Sequence, residues 1–114
     1  DEDNAKLTLF CIDIIKHFYH YRMKSITMEN VPGILYVKQN ENYIKTVASA
    51  LIGIGMHVQI QVIDSSRYGD PQKRSRVFLM AFKINLREII FPKETHGGKD
   101  CESLVTVFDA LGDL

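Results

Sequence analysis

The sequence has few cysteines, no excess of charge of either sign and no long apolar run, and each absence excludes a class of protein. Cys11 and Cys101 lie in unlike surroundings without a Cys-x-x-Cys spacing, which argues against a disulfide framework or a cysteine metal site. Fourteen basic residues balance fourteen acidic ones, so any basic surface that binds nucleic acid must be local. We therefore expect a protein of a reducing, intracellular compartment.

No apolar stretch approaches the roughly 20 residues of a membrane span, and the opening DEDNAK segment lacks the basic and apolar layout of a secretory signal. What is present is the makeup of one soluble globular domain, with 114 residues, 46% of them hydrophobic and 25% charged. The chain begins at Asp1 without an initiator methionine and ends at Leu114 directly after a turn-like Gly-Asp pair. We therefore expect an excerpt of a longer protein that has no membrane partner.

Apolar periodicity predicts helices and strands in a regular order. Apolar residues three and four apart predict amphipathic helices over residues 5–20 and 43–52. Strands are predicted at residues 25–28, at 57–63 from alternation, and at 77–82 from a near-continuous apolar run typical of burial on both faces. The order helix, strand, helix, strand, strand is typical of half of a layered α/β sheet. The apolar stripe of the first helix consists of Leu7, Phe10, Cys11, Ile14, Ile15 and Phe18.

The last part of the chain has weaker patterns. Periodicity fades after Lys83, and residues 91–98 are predicted to form an extended loop with proline and glycine at its ends. Residues 103–107 could start a strand or lead into a short helix around Phe108–Leu111, and the pattern leaves both open. We therefore divide the chain into residues 1–83, an α/β unit, and residues 84–114, an extended connection.

Two loops combine residue types that are unusual between strands, and function in an open α/β sheet gathers beyond strand ends. Glu29 ends the first strand before a Pro-Gly turn, although a lone carboxylate there is more often a structural hydrogen-bonding group. Residues 66–76 contain four basic residues, and the alternating Arg74 and Arg76 would direct two guanidinium groups at one phosphate, carboxylate or base oxygen. An isolated basic turn is more often only a solvated loop, so neither loop alone identifies a function.

Considered together, the two loops resemble conserved motifs of the cytosine-5 DNA methyltransferase family. Residues 29–33, Glu-Asn-Val-Pro-Gly, resemble its sixth motif, and residues 68–78, with Gln-Lys-Arg-Ser-Arg, resemble its eighth. Residues 3–7 and the first helix resemble the fifth motif. Residues 91–97 resemble the segment after the eighth motif, and residues 105–114 resemble the approach to the target-recognition region. The matched segments cover essentially the whole chain, and they follow one another in the order of the family's motifs.

The resemblance implies both a fold and a reaction. The implied fold is a partial Rossmann-like, S-adenosylmethionine-dependent methyltransferase domain that contributes the C-terminal half of the sheet, with the last strand antiparallel. The implied activity is transfer of a methyl group from S-adenosyl-L-methionine to C5 of a cytosine flipped out of DNA. In the family a cysteine thiolate attacks C6 of the base, which requires that N3 and O2 of the ring accept electron density.

The resemblance also implies roles for individual residues. Glu29 would hold N3 and the exocyclic amine of cytosine in an apolar, water-excluded pocket, and Arg76 would donate to O2. Arg74 would lie beside Arg76 and contact phosphate or steady the catalytic loop. Gln72 would order the turn, and Asn30 would fix the first loop without touching the substrate.

Two functional parts of the family have no match in this sequence. The family's nucleophile lies in a Pro-Cys dipeptide, which neither Cys11 nor Cys101 matches, and we assign Cys11 to core packing. The glycine-rich motif for the cofactor is also missing, because the Gly53-Ile54-Gly55 segment lies where a helix ends. Cofactor-binding residues therefore stay unassigned. We expect the isolated chain to be inactive, with the rest of a parent methyltransferase as its partner.

Alternatives to a DNA methyltransferase stay open. Relatives of the same superfamily modify transfer RNA, so RNA is an alternative partner to DNA. A non-catalytic interaction or regulatory remnant is a further alternative, although retention of Glu29, Arg74 and Arg76 argues against decay. The histidines form no recognisable ligand set, so no metal is expected. The expected location is the nucleus in a eukaryote and the cytoplasm in a bacterium.

Overall fold

A computed structural model describes residues 2–36, 38–83 and 91–113 of the chain. The elements are α1 (Glu2–His20), β1 (Ser25–Asn30), α2 (Gly33–Tyr36), α3 (Lys38–Gly53), β2 (Met56–Asp64), the 3₁₀ helix η1 (Ser65–Tyr68), β3 (Ser75–Lys83) and α4 (Val107–Leu111). The predicted α/β order is confirmed. The first strand extends beyond the predicted residues 25–28, because Glu29 and Asn30 also pair with β3 before α2 begins.

The three strands form one sheet in the order β1-β3-β2. Strand β3 lies between the other two and is antiparallel to both, so the predicted antiparallel last strand is confirmed. Glu29 lies opposite Phe78 in the β1–β3 ladder, and Asp64 lies opposite Ser75 in the β2–β3 ladder. The arrangement is compatible with part of a methyltransferase fold, and it brings the ends of β1 and β2 to the start of β3.

One face of the sheet carries the hydrophobic core. Val77, Leu79 and Ala81 alternate along β3, are at most 1% exposed and share a cluster with Val47 and Leu51 of α3. Burial of a side chain such as leucine or valine stabilises a fold by roughly 1.5–3 kcal/mol. This packing of α3 against β3 holds the sheet on which the candidate site lies.

The other face of β3 is less covered than the sequence predicts. Phe78 and Met80 are only half-buried there, although Phe82 is buried and stacks on His57 with ring centroids 5.4 Å apart. The prediction that β3 is buried on both faces is therefore wrong for this second face. The reason is that the described helices contribute most of their buried residues to the cluster around Val77 on the first face.

Helix α1 is apolar on two sides. Ile15 joins the core and Cys11 is half-buried, whereas Phe10, Ile14 and Phe18 are 61%, 40% and 52% exposed. The predicted single stripe is therefore wrong for these three residues, because only the Cys11–Ile15 side of the helix faces the core. The side chain of Leu7, another member of the stripe, lies outside the described residues.

Cys11 packs against Tyr43 where α1 meets α3. Burial raises the pKa of the Tyr43 phenol, and the charge and hydrogen bonding of the Cys11 thiol raise it further. The thiol is free and half-buried. Cys11 thus packs at the border of the core, which agrees with its assignment to packing.

The final segment forms a loop and then a short helix. Over residues 91–105 the structure describes a single isolated bridge, between His96 and Glu102, which agrees with the predicted extended loop. Of the strand and the short helix that the sequence left open near the end of the chain, the structure contains the helix, α4. Thr106 caps α4, since its hydroxyl oxygen accepts from the Asp109 N–H at 3.1 Å. The predicted boundary at residue 83 stays a prediction, and residues 84–90 lie outside the described residues.

Candidate functional site

Glu29 and Arg76 lie side by side on the partly exposed face of the sheet. Glu29 is opposite Phe78 in the ladder, and Arg76 lies two positions before Phe78, so all three side chains share one face. Arg76 Nε is 2.9 Å from Glu29 Oε1. The fold thus brings together the two residues for which the family resemblance implies binding of a base.

The surroundings of the Glu29–Arg76 pair leave it accessible. The Arg76 side chain is 23% exposed and that of Glu29 is 48% exposed. Ion pairs with this much solvent contact contribute only about 0.2–1 kcal/mol to folding. The pair therefore contributes little to the stability of the fold. An accessible carboxylate beside a guanidinium group is suited to bind a polar, planar ligand.

Arg76 keeps hydrogen-bonding capacity while it is paired. Among the described contacts, Nε meets Glu29 and Nη1 donates to the Ser75 carbonyl oxygen at 2.8 Å. A guanidinium group carries further N–H donors in a planar fork, and these suit a carbonyl oxygen. The water-excluded pocket that the resemblance implies is not enclosed by the described residues, because nearly half of the Glu29 side chain meets solvent.

Arg74 and Gln72 contribute mainly backbone groups to the loop before β3. The Arg74 N–H donates to Asp64 Oδ1 at 3.2 Å, and its carbonyl oxygen accepts from the Ser65 N–H at 3.0 Å. The Gln72 carbonyl oxygen accepts from Ser65 Oγ at 2.7 Å. Both side chains are exposed. Arg76, and not Arg74, therefore makes the described ion pair with Glu29.

Asn30 lies at the end of β1, next to Glu29. Its Oδ1 accepts from the Val31 N–H at 2.8 Å, directly before the chain enters α2. This local bond satisfies the first backbone N–H beyond the strand. The geometry supports the predicted loop-fixing role, which stays a prediction.

Asp64 is a residue of the site that the sequence analysis did not single out. Its Oδ1 accepts from the Ser66 N–H at 3.1 Å and from Ser66 Oγ at 2.9 Å, in addition to the Arg74 N–H. Desolvation alone raises the pKa of Asp64, but the bonds from Ser66 and Arg74 and the charge of Lys73 outweigh it and lower the pKa. The signal in the sequence is an aspartate followed by Ser-Ser, which is typical of a helix N-cap.

Arg67 fastens the final segment to η1, in contacts that we name the Arg67 clasp. Its carbonyl oxygen accepts from the N–H groups of Thr95 and His96 at 2.9 and 3.0 Å. Its Nη1 donates to the Gly97 carbonyl oxygen at 2.6 Å. The Tyr68 hydroxyl adds a bond of 3.0 Å to the Pro92 carbonyl oxygen. The sequence did not predict these contacts, since all four partners in the final segment are backbone groups without a residue signature.

Gly69 leaves room for the contacts of the Arg67 clasp, so we expect Gly69→Ala to weaken these contacts. Gly69 has φ 89°, and an added Cβ would lie 2.9 Å from His96 Cε1. A left-handed conformation costs a residue with a Cβ roughly 1–2 kcal/mol, before the contact with His96 is counted. We expect faster amide hydrogen exchange at Thr95 and His96 and a lower midpoint of thermal unfolding.

Gly53→Ala is the matched control for this glycine substitution. Gly53 is the last residue of α3, and an added Cβ would meet nothing within 4 Å. The same change of residue type should therefore leave exchange at Thr95 and His96 unaltered. Equal exchange rates in the Gly69→Ala and wild-type proteins would contradict the importance of this close approach.

The described part of the chain contains neither a cluster of metal-ligating side chains nor a helix suited to span a membrane. Within residues 2–36, 38–83 and 91–113, no group of three His, Cys, Asp or Glu side chains is placed to hold a metal ion. None of the helices described there is long and apolar enough to cross a membrane. The candidate site consists of the Glu29–Arg76 ion pair and the loop that precedes β3.

A family model described as C-5 cytosine-specific DNA methylase matches residues 1–113. The match includes Glu29, Arg76 and the final segment held by the Arg67 clasp. It covers all three described ranges of the structure. The similarity therefore applies to the chain as a whole and not to one motif.

Several type II methyltransferases are similar to the chain. M.MthTI of Methanothermobacter thermautotrophicus is 36% identical over 87 residues, which cover 75% of this chain and 24% of that protein. M.MspI of Moraxella sp is 37% identical over 73 residues, covering 64% of this chain and 17% of that protein. M.DdeI of Desulfomicrobium norvegicum is 32% identical over 85 residues, covering 73% and 20%. The aligned part of the chain thus spans a quarter or less of each of these relatives.

Proposed function

Because the chain belongs to the C-5 cytosine-specific DNA methylase family, we propose that it forms the base-activating part of a DNA (cytosine-5-)methyltransferase. The observation that carries the proposal is the accessible ion pair of Glu29 and Arg76, with 2.9 Å between Nε and Oε1. DNA is favoured over transfer RNA as the substrate, because the family model is described for DNA. An intracellular site of action, where DNA is found, is part of the proposal.

The proposed chemistry uses the pair to withdraw electrons from a flipped cytosine. A cysteine thiolate supplied by sequence outside this chain adds to C6 of the ring, and electron density moves toward N3 and O2. Glu29 holds N3 and the exocyclic amine and shares a proton with N3. Arg76 donates to O2 and stabilises the negative charge that develops there.

Residues around the pair have supporting roles in the proposal. Arg74, with its exposed side chain, contacts phosphate beside the flipped base, while its backbone closes the loop. Gln72 and Asn30 order the loops that precede Arg76 and follow Glu29. The three strands form the C-terminal half of a larger, Rossmann-like sheet, with β3 as its antiparallel strand.

S-adenosyl-L-methionine is the methyl donor that the family implies, and the described residues do not fit its glycine-rich cradle. In the Gly53-Ile54-Gly55 segment, Gly55 has φ 84° and its N–H donates to the Ile52 carbonyl oxygen at 2.9 Å. This geometry ends α3 and does not follow a strand, as a cofactor loop would. We therefore propose that the rest of a longer enzyme supplies the cofactor site and the nucleophile.

Methyl transfer by the full-length protein that contains this chain tests the proposal. With labelled S-adenosyl-L-methionine, we expect label in DNA as 5-methylcytosine, identified by mass spectrometry of the nucleosides. Transfer RNA should acquire no label. The isolated 114-residue chain should neither methylate DNA nor bind the cofactor measurably.

Each other outcome of this assay contradicts a defined part of the proposal. Label in transfer RNA but not in DNA would make the protein an RNA methyltransferase of the same superfamily. Binding of cofactor and DNA without transfer would favour a non-catalytic regulatory module. Methylation of DNA by the isolated chain would contradict the requirement for an external nucleophile.

A further inference from the structure

We propose that Asp64 is a positioning residue, whose carboxylate fixes the start of β3 and thereby the direction from which Arg76 reaches Glu29. The inference rests on the proposed function, because it names what holds the base-activating pair in place. It follows from three features of the loop between β2 and β3. These are the bonds on Asp64, the pairing of Arg76 and the closure of the loop at Arg74.

The bonds on Asp64 converge on one oxygen atom. Oδ1 accepts from the Ser66 N–H, Ser66 Oγ and the Arg74 N–H at 3.1, 2.9 and 3.2 Å. The first two bonds hold η1, and the third reaches across the loop to the residue before β3. A carboxylate oxygen has the negative charge and the lone pairs for several such donors. Asp64 is thus shared between both ends of the loop.

The pairing of Arg76 makes its position depend on this loop. The β1–β3 ladder ends at Asn30 and Val77, so Arg76 lies one residue beyond it. On the other side, Arg76 is paired with Ile63 of β2. Its backbone is therefore held by β2 and by the residues that lead into β3, while its side chain reaches toward Glu29 of β1.

The closure of the loop fixes both polar backbone groups of Arg74. Its N–H donates to Asp64, and its carbonyl oxygen accepts from the Ser65 N–H at 3.0 Å. Arg74 is only two residues from Arg76, so a backbone shift at Arg74 is passed along the strand. Reacting groups must be held to within about 0.5 Å, and a misplacement near 1 Å can cost about 100-fold in rate.

A helix cap without influence on Arg76 would have a different signature. Asp64 also caps η1. Loss of a cap alone lowers the free energy of unfolding and does not lower kcat selectively while KM stays unchanged. A positioning residue changes the rate of the chemical step while binding is retained. Substitutions at Asp64 that preserve or move the acceptor atom distinguish these two roles.

In the full-length protein, we expect Asp64→Ala to lower kcat for methyl transfer about 10- to 100-fold. The KM for DNA and the Kd for S-adenosyl-L-methionine should change by no more than about 3-fold, because Asp64 contacts neither in this proposal. Asp64→Asn keeps an oxygen at the Oδ1 position and should restore kcat to within about 3-fold. Asp70→Ala is the matched control, because Asp70 is exposed in the same loop and bonds through its backbone N–H.

Asp64→Glu keeps the test decisive if the alanine variant does not fold. Glutamate retains the charge but moves the acceptor by one methylene, so we expect a lower kcat in a protein that still folds. A wild-type kcat for Asp64→Glu would show that the position of the acceptor is unimportant, and it would overturn the inference. Equal losses of kcat in Asp64→Ala and Asp64→Asn would overturn it as well.

A double-mutant cycle tests whether Asp64 acts through Arg76. Asp64→Ala should add almost nothing to the loss already caused by Arg76→Ala, since no guanidinium group then remains to be positioned. If the loss of rate in the double variant equals the product of the two single losses, the residues act independently and the inference is overturned. If Glu29→Gln keeps the wild-type rate, the proposed function itself fails. If Glu29→Gln is slow while a folded Asp64→Ala protein keeps kcat, only the role of Asp64 fails.

Discussion

Glu29→Gln is expected to slow methyl transfer by the full-length protein about 100- to 1000-fold. Glutamine has nearly the size of glutamate, so the strand and its packing should be unchanged. It cannot share a proton with N3 of cytosine as a carboxyl group can, and it lacks the charge that meets Arg76 at 2.9 Å. The rate of the chemical step should be measured in single turnovers, with DNA and cofactor both saturating.

The affinity for the cofactor and the rate of a matched control variant show whether the loss of rate is specific to Glu29. The Kd for S-adenosyl-L-methionine should stay within about 2-fold of wild type, because the loss lies in the transition state. Glu94→Gln is the control, since Glu94 Oε2 lies 4.0 Å from Arg67 Nε in another exposed carboxylate–guanidinium pair. It should keep the wild-type rate. A rate for Glu29→Gln within a few-fold of wild type would remove Glu29 from the proposed chemistry.

Arg76→Ala is the second substitution with a large expected effect, again about 100- to 1000-fold on the rate of methyl transfer. Alanine removes the N–H groups proposed to meet O2 of cytosine, where negative charge develops as C6 is attacked. Its effect on stability should be small, because the Glu29–Arg76 pair is partly exposed. Single-turnover rates and thermal unfolding of the same preparation measure both quantities.

Arg76→Lys and Arg22→Ala distinguish the effect of the planar guanidinium geometry of Arg76 from the effect of its positive charge. Lysine keeps the positive charge but loses the planar fork, so its rate should lie between those of wild type and Arg76→Ala. Arg22 is exposed beyond the end of α1, and its replacement by alanine should leave the rate unchanged. Equal rate losses in Arg22→Ala and Arg76→Ala would indicate a general effect of positive charge on DNA binding, and would contradict a role at O2.

The Glu29–Arg76 pair also explains how the site can be ready before the base arrives. Each side chain holds the other near one orientation across the end of two strands, and Ser75 accepts a bond from Nη1. Side chains that are already ordered lose less freedom when a ligand binds. Asp64 contributes from the loop side, so the proposed site is supported by both β1 and β2.

The candidate site was predictable in part from the sequence. Glu29 and Arg76 were identified because they match two motifs of the family, and a motif is visible in the sequence as residue types at a fixed spacing. Asp64 and Arg67 were not identified, because their partners include the backbone groups of Arg74, Thr95 and His96. A backbone N–H or carbonyl group has no residue type that could reveal the contact in advance.

The fold was predictable to a similar degree. The periodicity located α1, α3 and all three strands, since alternation and three-to-four spacing are local properties of the chain. It failed for the exposed Phe10 and Phe18 of α1. Apolar character is set by the sequence, whereas burial is set by which neighbour packs against a side chain.

By itself, the sequence determined the order of the elements, the resemblance to the methyltransferase family and the identity of the two residues proposed to activate the base. Only the tertiary structure decided that β3 lies between β1 and β2, and that Glu29 of β1 therefore lies next to Arg76 of β3. It alone decided that Asp64 and Arg67 close the surrounding loops. The physical reason is that strand pairing and loop closure join residues distant in sequence, through backbone groups common to every residue.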